Sequence, residues 1–253
     1  MKKEKILILT VISLITITVA VLVYQLNVKT LPEASVEKPM QGSNIIEFSG
    51  IKWIIKSSNT PIGPGPNIYS ADNVYVNEQG ELHLAIKCDG GVCTCAEVYT
   101  VQKYRYGVFE FKINGDSLGI DRNAVFGLFL YYDNKHEIDV EISRWGARKS
   151  PNVQFVVQPY YRHPPHRFDM PLTGDDVIFI IKWEPHRISF RAYLENRTGD
   201  RTLVEEWSIK VKEKKPMRIH LNLWLIDLDG NGVGDPPAGD GALEVIVKEV
   251  SQH

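Results

Sequence analysis

The sequence predicts an all-β domain, a two-sheet antiparallel β-sandwich of the jelly-roll kind, preceded by an N-terminal transmembrane helix. Three observations predict it. From Asn44 on, the chain breaks into roughly a dozen short alternating or β-branched segments separated by turn-forming residues. No stretch of ten or more residues there carries a helical stripe. One run, from His136 to Ile142, alternates strictly: Glu137, Asp139 and Glu141 fall on one side, Ile138, Val140 and Ile142 on the other.

The first segment stands apart. Lys2, Lys3 and Lys5 precede Ile6–Val23, an uncharged apolar run close to the length a membrane span needs. Its end, Val21-Leu22-Val23-Tyr24-Gln25, is bulky and offers no small-residue cleavage site. The expectation is an uncleaved signal-anchor over residues 1–26, with a cleaved signal peptide and a secreted protein as the alternative. Positive charge before the span puts the remaining chain outside the cytoplasm. Residues 27–44, with Pro32, Pro39, Glu33, Glu37 and Gly42, read as a tether. The domain proper then covers 45–253.

Strands are expected over Ile45–Phe48 and Ile51–Lys56, followed by a Pro/Gly loop from Ser58 to Gly65. Asn73–Val76 and Glu81–Lys87 form a hairpin about Asn77-Glu78-Gln79-Gly80. Glu97–Lys103, Gly107–Asn114, Ala124–Tyr132 and the acidic strand follow. Asn152–Tyr160, Asp176–Trp183, Arg187–Tyr193, Leu203–Val211, Met217–Leu225 and Ala242–Val250 complete the set. Trp53, Trp183 and Trp207 fit packing in the core. An exported context permits disulfides, and Cys88 is placed to pair with either Cys93 or Cys95 across Asp89-Gly90-Gly91. Lys+Arg 29 against Asp+Glu 31 gives a net charge of −2, which leaves no basic footprint for nucleic acid.

The acidic strand carries the chemistry. Carboxylates on alternate residues lie about 6.6 Å apart along a strand. In a desolvated groove all three do not stay ionised, because like charges raise at least one pKa. A held proton beside a bare carboxylate is what retaining glycoside hydrolysis uses.

Glu137-Ile138-Asp139-Val140-Glu141 resembles the E-x-D-x-E signature of glycoside hydrolase family 16. Cys95-Ala96-Glu97 and Tyr104–Glu110 resemble the Cys-Ala-Glu and Tyr-Gly runs of bacterial lichenases; Val153-Gln154-Phe155, Lys182-Trp183-Glu184-Pro185 and His220–Trp224 continue the likeness in the same order. The resemblance implies a concanavalin-like jelly roll and retaining, endo-acting hydrolysis of a β-linked polysaccharide such as a β-1,3/1,4-glucan. Glu137 would be the nucleophile, Glu141 the general acid/base, and Asp139 the residue that orients and tunes Glu137. Glu97, Tyr99, Asn222 and Trp224 would bind substrate, with Trp224 as a stacking face. Lys135-His136 stand where lichenases have Trp-Asp, so one sugar platform is missing. The alternatives are a transglycosylase with the same site and a non-catalytic carbohydrate-binding module. The polysaccharide and the membrane are the expected partners, and the protein is expected to act as a monomer.

No cofactor is expected, with one structural-calcium candidate: Asp227, Asp229 and Asn231 repeat the early oxygen positions of a Ca²⁺ loop, although Ala238 stands where its Glu would. A plain Asp/Gly turn is the other reading. The Pro-rich run with Arg162, His163 and His166 reads as a turn, a rim loop or a metal site. Trp145 is placed either to pack or to stack. His136 falls on the face opposite the acids.

Overall fold

The structure is a computed structural model, and it describes residues 44–238 and 242–253. The predicted membrane helix, and the tether except for Asn44, lie outside the described residues. Among the described residues no helix is long and apolar enough to cross a membrane.

Sixteen strands are found among the described residues. Eight form the front sheet: β1 (Ile45–Phe48), β2 (Ile51–Ile55), β6 (Val92–Thr100), β8 (Ala124–Asp133), β9 (His136–Ile142), β10 (Val153–Val157), β11 (His166–Phe168) and β15 (Arg218–Leu225). Their order across the sheet is β1-β2-β6-β15-β8-β9-β10-β11. Seven form the back sheet: β4 (Val74–Val76), β5 (Leu82–Asp89), β7 (Gly107–Ile113), β12 (Asp176–Glu184), β13 (Arg187–Glu195), β14 (Arg201–Ile209) and β16 (Leu243–Gln252). Their order is β4-β5-β16-β7-β12-β13-β14. The pairing is antiparallel except where the short strand β3 (Ile68–Tyr69) runs parallel to β6.

One hairpin joins the two sheets. The end of β5 pairs with the start of β6, and a disulfide between Cys88 and Cys93 clips it. Of the two pairings open from sequence, this is the one across the Asp89-Gly90-Gly91 turn. Cys95 is left as a buried thiol, and burial pushes it up to about 12.

The core lies between the sheets. From the front sheet come Ile138, Val140 and Ile142 of the acidic strand with Leu128, Leu130, Leu221 and Phe155, each fully buried. From the back sheet come Phe109, Phe111, Phe179, Ile181 and Phe190. Phe155 stacks on Phe190 across the gap, ring centroids 4.8 Å apart. At about 25 cal/mol per Å² such burial is the main favourable contribution to folding. Trp53 and Trp183 are buried as expected, and Trp207 packs against the same cluster.

Two strands escape the sequence reading. The first is β3, beyond the Pro/Gly loop. The second is β11, inside what reads as a Pro-rich turn: the chain reverses after the cis bond Gln158–Pro159 and then pairs with β10. His166, read as part of a turn, a rim loop or a metal site, opens this strand. It stacks on Trp207 at 5.5 Å with 8° between the planes, on the core side of the sheet.

Candidate active site

Strand pairing fixes which side chains share the face opposite the core, and they fall into cross-strand rows. One row runs Glu97, Asn222, Gly127, Glu141, Gln154, Arg167 over β6, β15, β8, β9, β10 and β11. The next runs Tyr99, His220, Phe129, Asp139, Val156. A third holds Arg218, Tyr131 and Glu137. At about 4.8 Å per strand the first row is about 24 Å long. No strand of the back sheet pairs over this face, yet Glu97, Asp139 and Asn222 are each under 5% exposed. Glu137 and Glu141 are half-buried. The acids therefore line a recessed trough rather than a wet outer surface.

The acids perturb one another. Burial raises the Asp139 carboxyl well above its ordinary value, and the charges of Glu137 and Glu141 add to it. Asp139 thus keeps its proton and donates it in a hydrogen bond to Glu137. Burial, then the charge of Glu141, pushes Glu137 up to about 8, against the lowering effect of that bond. Burial raises Glu141 to about 7, held from going higher by the Gln154 amide and the charge of Arg167. The charges of Glu137 and Glu141 act on Glu137 and Asp139, so the protons of this line belong to the three acids together.

At the other end of the row Glu97 stays ionised. Burial works to raise it, but Lys56 and His220 outweigh that and hold it below its ordinary value. Lys56 Nζ lies 2.7 Å from Glu97 Oε2, and His220 Nδ1 2.9 Å from Oε1. Burial in turn keeps the His220 imidazole below its own ordinary value, so the neutral ring donates to Glu97. Tyr99 stacks on His220 at 5.2 Å, and Phe129 and Tyr131 close round the same ring at 5.0 and 5.4 Å.

Asn222 is fixed by its backbone neighbour. Its Oδ1 accepts from Gly127 N at 3.1 Å. A Cβ at Gly127 would come within 2.5 Å of that oxygen, so only glycine leaves the row open opposite Glu141. Trp224 lies on the same face but is only 8% exposed, edge-on to Trp145 at 6.1 Å. The Trp145 indole N–H has no hydrogen-bond partner among the described residues. Trp145 therefore packs against Trp224. His136 turns the other way, as alternation requires, and its Nδ1 lies 2.7 Å from Glu213 Oε2.

The Asp/Gly loop brings together two of the three residues read in sequence, Asp227 and Asp229, and adds Asp235. Carboxylates of Asp227, Asp229 and Asp235 lie within 4.8 Å of one another, while Asn231 donates its amide to Asp229 at 3.0 Å. Asp227 accepts from Gly230, Asn231 and Gly232, and Asp235 from Leu228, so backbone amides already occupy them.

The sequence reading did not single out Lys56, Gln154, Arg167 or His220. Gln154 and His220 sit inside quoted motifs; Lys56 and Arg167 carry no signal at all.

No family model matches the chain, and no curated protein matches it. Solved structures do. A β-glucanase of Bacillus licheniformis is 20% identical with a TM-score of 0.59, covering 84% of this chain and 98% of its own. A glycosyl hydrolase family 16 protein of Mycobacterium smegmatis is 19% identical with a TM-score of 0.57, covering 80% and 92%. A pseudo β-1,3-glucanase of Mycobacterium tuberculosis, also described as an immunostimulatory antigen, is 19% identical with a TM-score of 0.59, covering 79% and 91%. The chain thus has the β-glucanase fold, with three carboxylates in line on the open face of its front sheet.

Proposed function

We propose that this chain is a glycoside hydrolase of the family 16 type, cleaving a β-linked glucan internally and with retention. The observation that carries the reading is the acid line: Asp139 holds its proton on Glu137, and Glu141 stands on the same face with a pKa near neutrality.

In the first step Glu141 gives its proton to the glycosidic oxygen as the bond to the anomeric carbon breaks. A Glu137 oxygen forms the new bond to that carbon. In the second step Glu141 takes a proton from water, the water oxygen attacks the anomeric carbon, and Glu137 is released. A value of about 7 suits a group that must give and then recover one proton. The hydrogen bond from Asp139 and the positive charge that develops on the sugar both favour the anion at Glu137. Glu97, Tyr99 and Asn222 offer polar and aromatic groups to a chain lying along the rows, with Trp224 at one end.

A second reading has one observation behind it. The likeness extends to a protein described as a pseudo-glucanase, so a saccharide-binding module without turnover is the alternative. The test is to incubate the full chain with β-1,3-, β-1,4- and mixed-linkage glucans and galactans, and to analyse the products by mass spectrometry and early-time NMR. Released oligosaccharides of retained anomeric configuration support the hydrolase. Larger products than substrates would show transfer to sugar. Retention on a glucan affinity gel without products would leave only the binding module. We also propose that the domain works outside the cytoplasm on its N-terminal anchor, which protease accessibility in intact cells would test.

A further inference from the structure

Arg167 has no part in the reaction as drawn. It lies on β11, a three-residue strand at the edge of the front sheet. Alternation turns His166 and Phe168 inward, where Phe168 meets Phe155 at 4.8 Å, and leaves Arg167 on the trough side. Its register partner is Gln154, whose own partner on the far side is Glu141.

Arg167 Nε donates to Gln154 Oε1 at 2.8 Å. That contact decides which way the Gln154 amide points. With Oε1 engaged by a cation, the Nε2 end faces Glu141 and donates to its Oε2. Gln154 is only 6% exposed, so solvent does not compete effectively for either end. We propose that Arg167 is a positioning residue that acts through Gln154 to fix the orientation of Glu141 and the ease with which it gives up its proton. The inference rests on Glu141 being the acid/base of the proposed reaction.

The other groups around Glu141 cannot supply this. Its own strand brings Asp139 and Glu137, both acids. On β8 its neighbour is Gly127, which has no side chain; on β15 it is the neutral Asn222. Glu97 on β6 is an acid already paired with Lys56. Arg167 is the cation of that row left to oppose the burial of Glu141, and its charge does lower the Glu141 carboxyl. A planar guanidinium holding a carbonyl through a directed N–H also fixes geometry in a way a point charge does not.

The test is a ¹³C-carboxyl titration of Glu141 in the full chain, assigned by comparison with Glu141→Gln, alongside kcat/KM against pH. In Arg167→Met the Glu141 midpoint should rise by about half to one pH unit, the order of effect of losing one partly solvated charge that is not in direct contact. Gln154→Met should also raise it, and Arg167→Lys, which keeps the charge but not the directed N–H, should return only part of the shift. The acid must be protonated, so activity is lost as pH rises through its pKa; in Arg167→Met that loss should move to higher pH by the same amount. An unmoved Glu141 titration in both Met variants overturns the proposal. So does a drop in kcat at every pH with the alkaline limb unmoved. A wild-type chain inert on every glucan, whose Glu141 titration still shifts in Arg167→Met, retains the coupling and removes the hydrolase reading.

Discussion

Replacing Glu137 by Gln should stop turnover and make the protein more stable. In the unfolded chain this carboxyl has its ordinary value of 4.5; in the fold it is pushed up to about 8. A group whose pKa is raised by folding contributes fully below the ordinary value, and that contribution is lost as pH rises toward the folded value. At pH 7 the fold must hold a proton that the unfolded chain has released. For a fully buried group the cost is about 1.36 × (7 − 4.5), or about 3.4 kcal/mol. Glu137 is only half-buried, and solvent screening reduces this to about 1–2 kcal/mol. Gln has nearly the same shape, still accepts the Asp139 hydrogen bond, and does not titrate.

A domain of this size moves about 2–4 °C per kcal/mol, so Glu137→Gln should melt about 2–8 °C above wild type at pH 7. The gap should widen at pH 8 and close by pH 4.5. Calorimetry of both proteins across that range is the assay, and the difference between them cancels every group they share. A Gln variant that melts at or below wild type at pH 8 would refute the argument, because Glu137 would then be ionised at no cost and the trough would be wet.

Three further outcomes follow from the same rows. Lys56→Met leaves the buried Glu97 charge with His220 alone and should cost about 3 kcal/mol, the low end for unpairing a buried ion, since Lys56 is itself 19% exposed. Adding Glu97→Gln should recover part of the loss in thermal melts; a double variant no better than the single would show that the ion pair is not what holds Glu97 ionised. Because Glu97 is held below its ordinary value, the pair's contribution should persist above that value and fade as pH falls through the folded one. Gly127→Ala drives a Cβ to within 2.5 Å of Asn222 Oδ1 and should cost about 1–3 kcal/mol with a raised KM, read by melting and saturation kinetics. Trp224→Phe should keep the packing on Trp145 and test stacking alone: an unchanged KM would assign Trp224 to structure.

The layering was legible because β9 alternates without exception. Ile138, Val140 and Ile142 are all fully buried, which commits the three acids to the other face. The hairpin about Asn77 was legible for the same local reason, whereas the partner of Cys88 stayed open between Cys93 and Cys95 until the register of β5 and β6 paired it with Cys93. What resisted reading was everything set by pairing between distant segments. Lys56 lies 41 residues from Glu97, His220 123 residues from it, and Asn222 95 residues from Gly127. β11 is three residues long, too short to show a period, and sits among prolines that read as turn. Arg167 could not have been placed opposite Gln154 without the register.

The same limit explains why crowding alone, which is visible in the sequence, does not say where the protons rest. Three acids on one strand are equivalent until their rows are known. Asp139 falls in the row with Tyr99, His220, Phe129 and Val156, where no cation faces it, so burial and its two like-charged neighbours act unopposed and it keeps its proton most firmly. Glu141 falls in the row with Asn222, Gln154 and Arg167, where an amide and a guanidinium favour its anion. Glu137 lies between these extremes, with a hydrogen bond from Asp139 set against the charge of Glu141. Moving the register of β9 by two residues would keep every acid on the same face and the same core beneath, yet would exchange those environments. It is the register, more than the spacing of the carboxylates, that assigns a different proton affinity to each of three otherwise similar side chains.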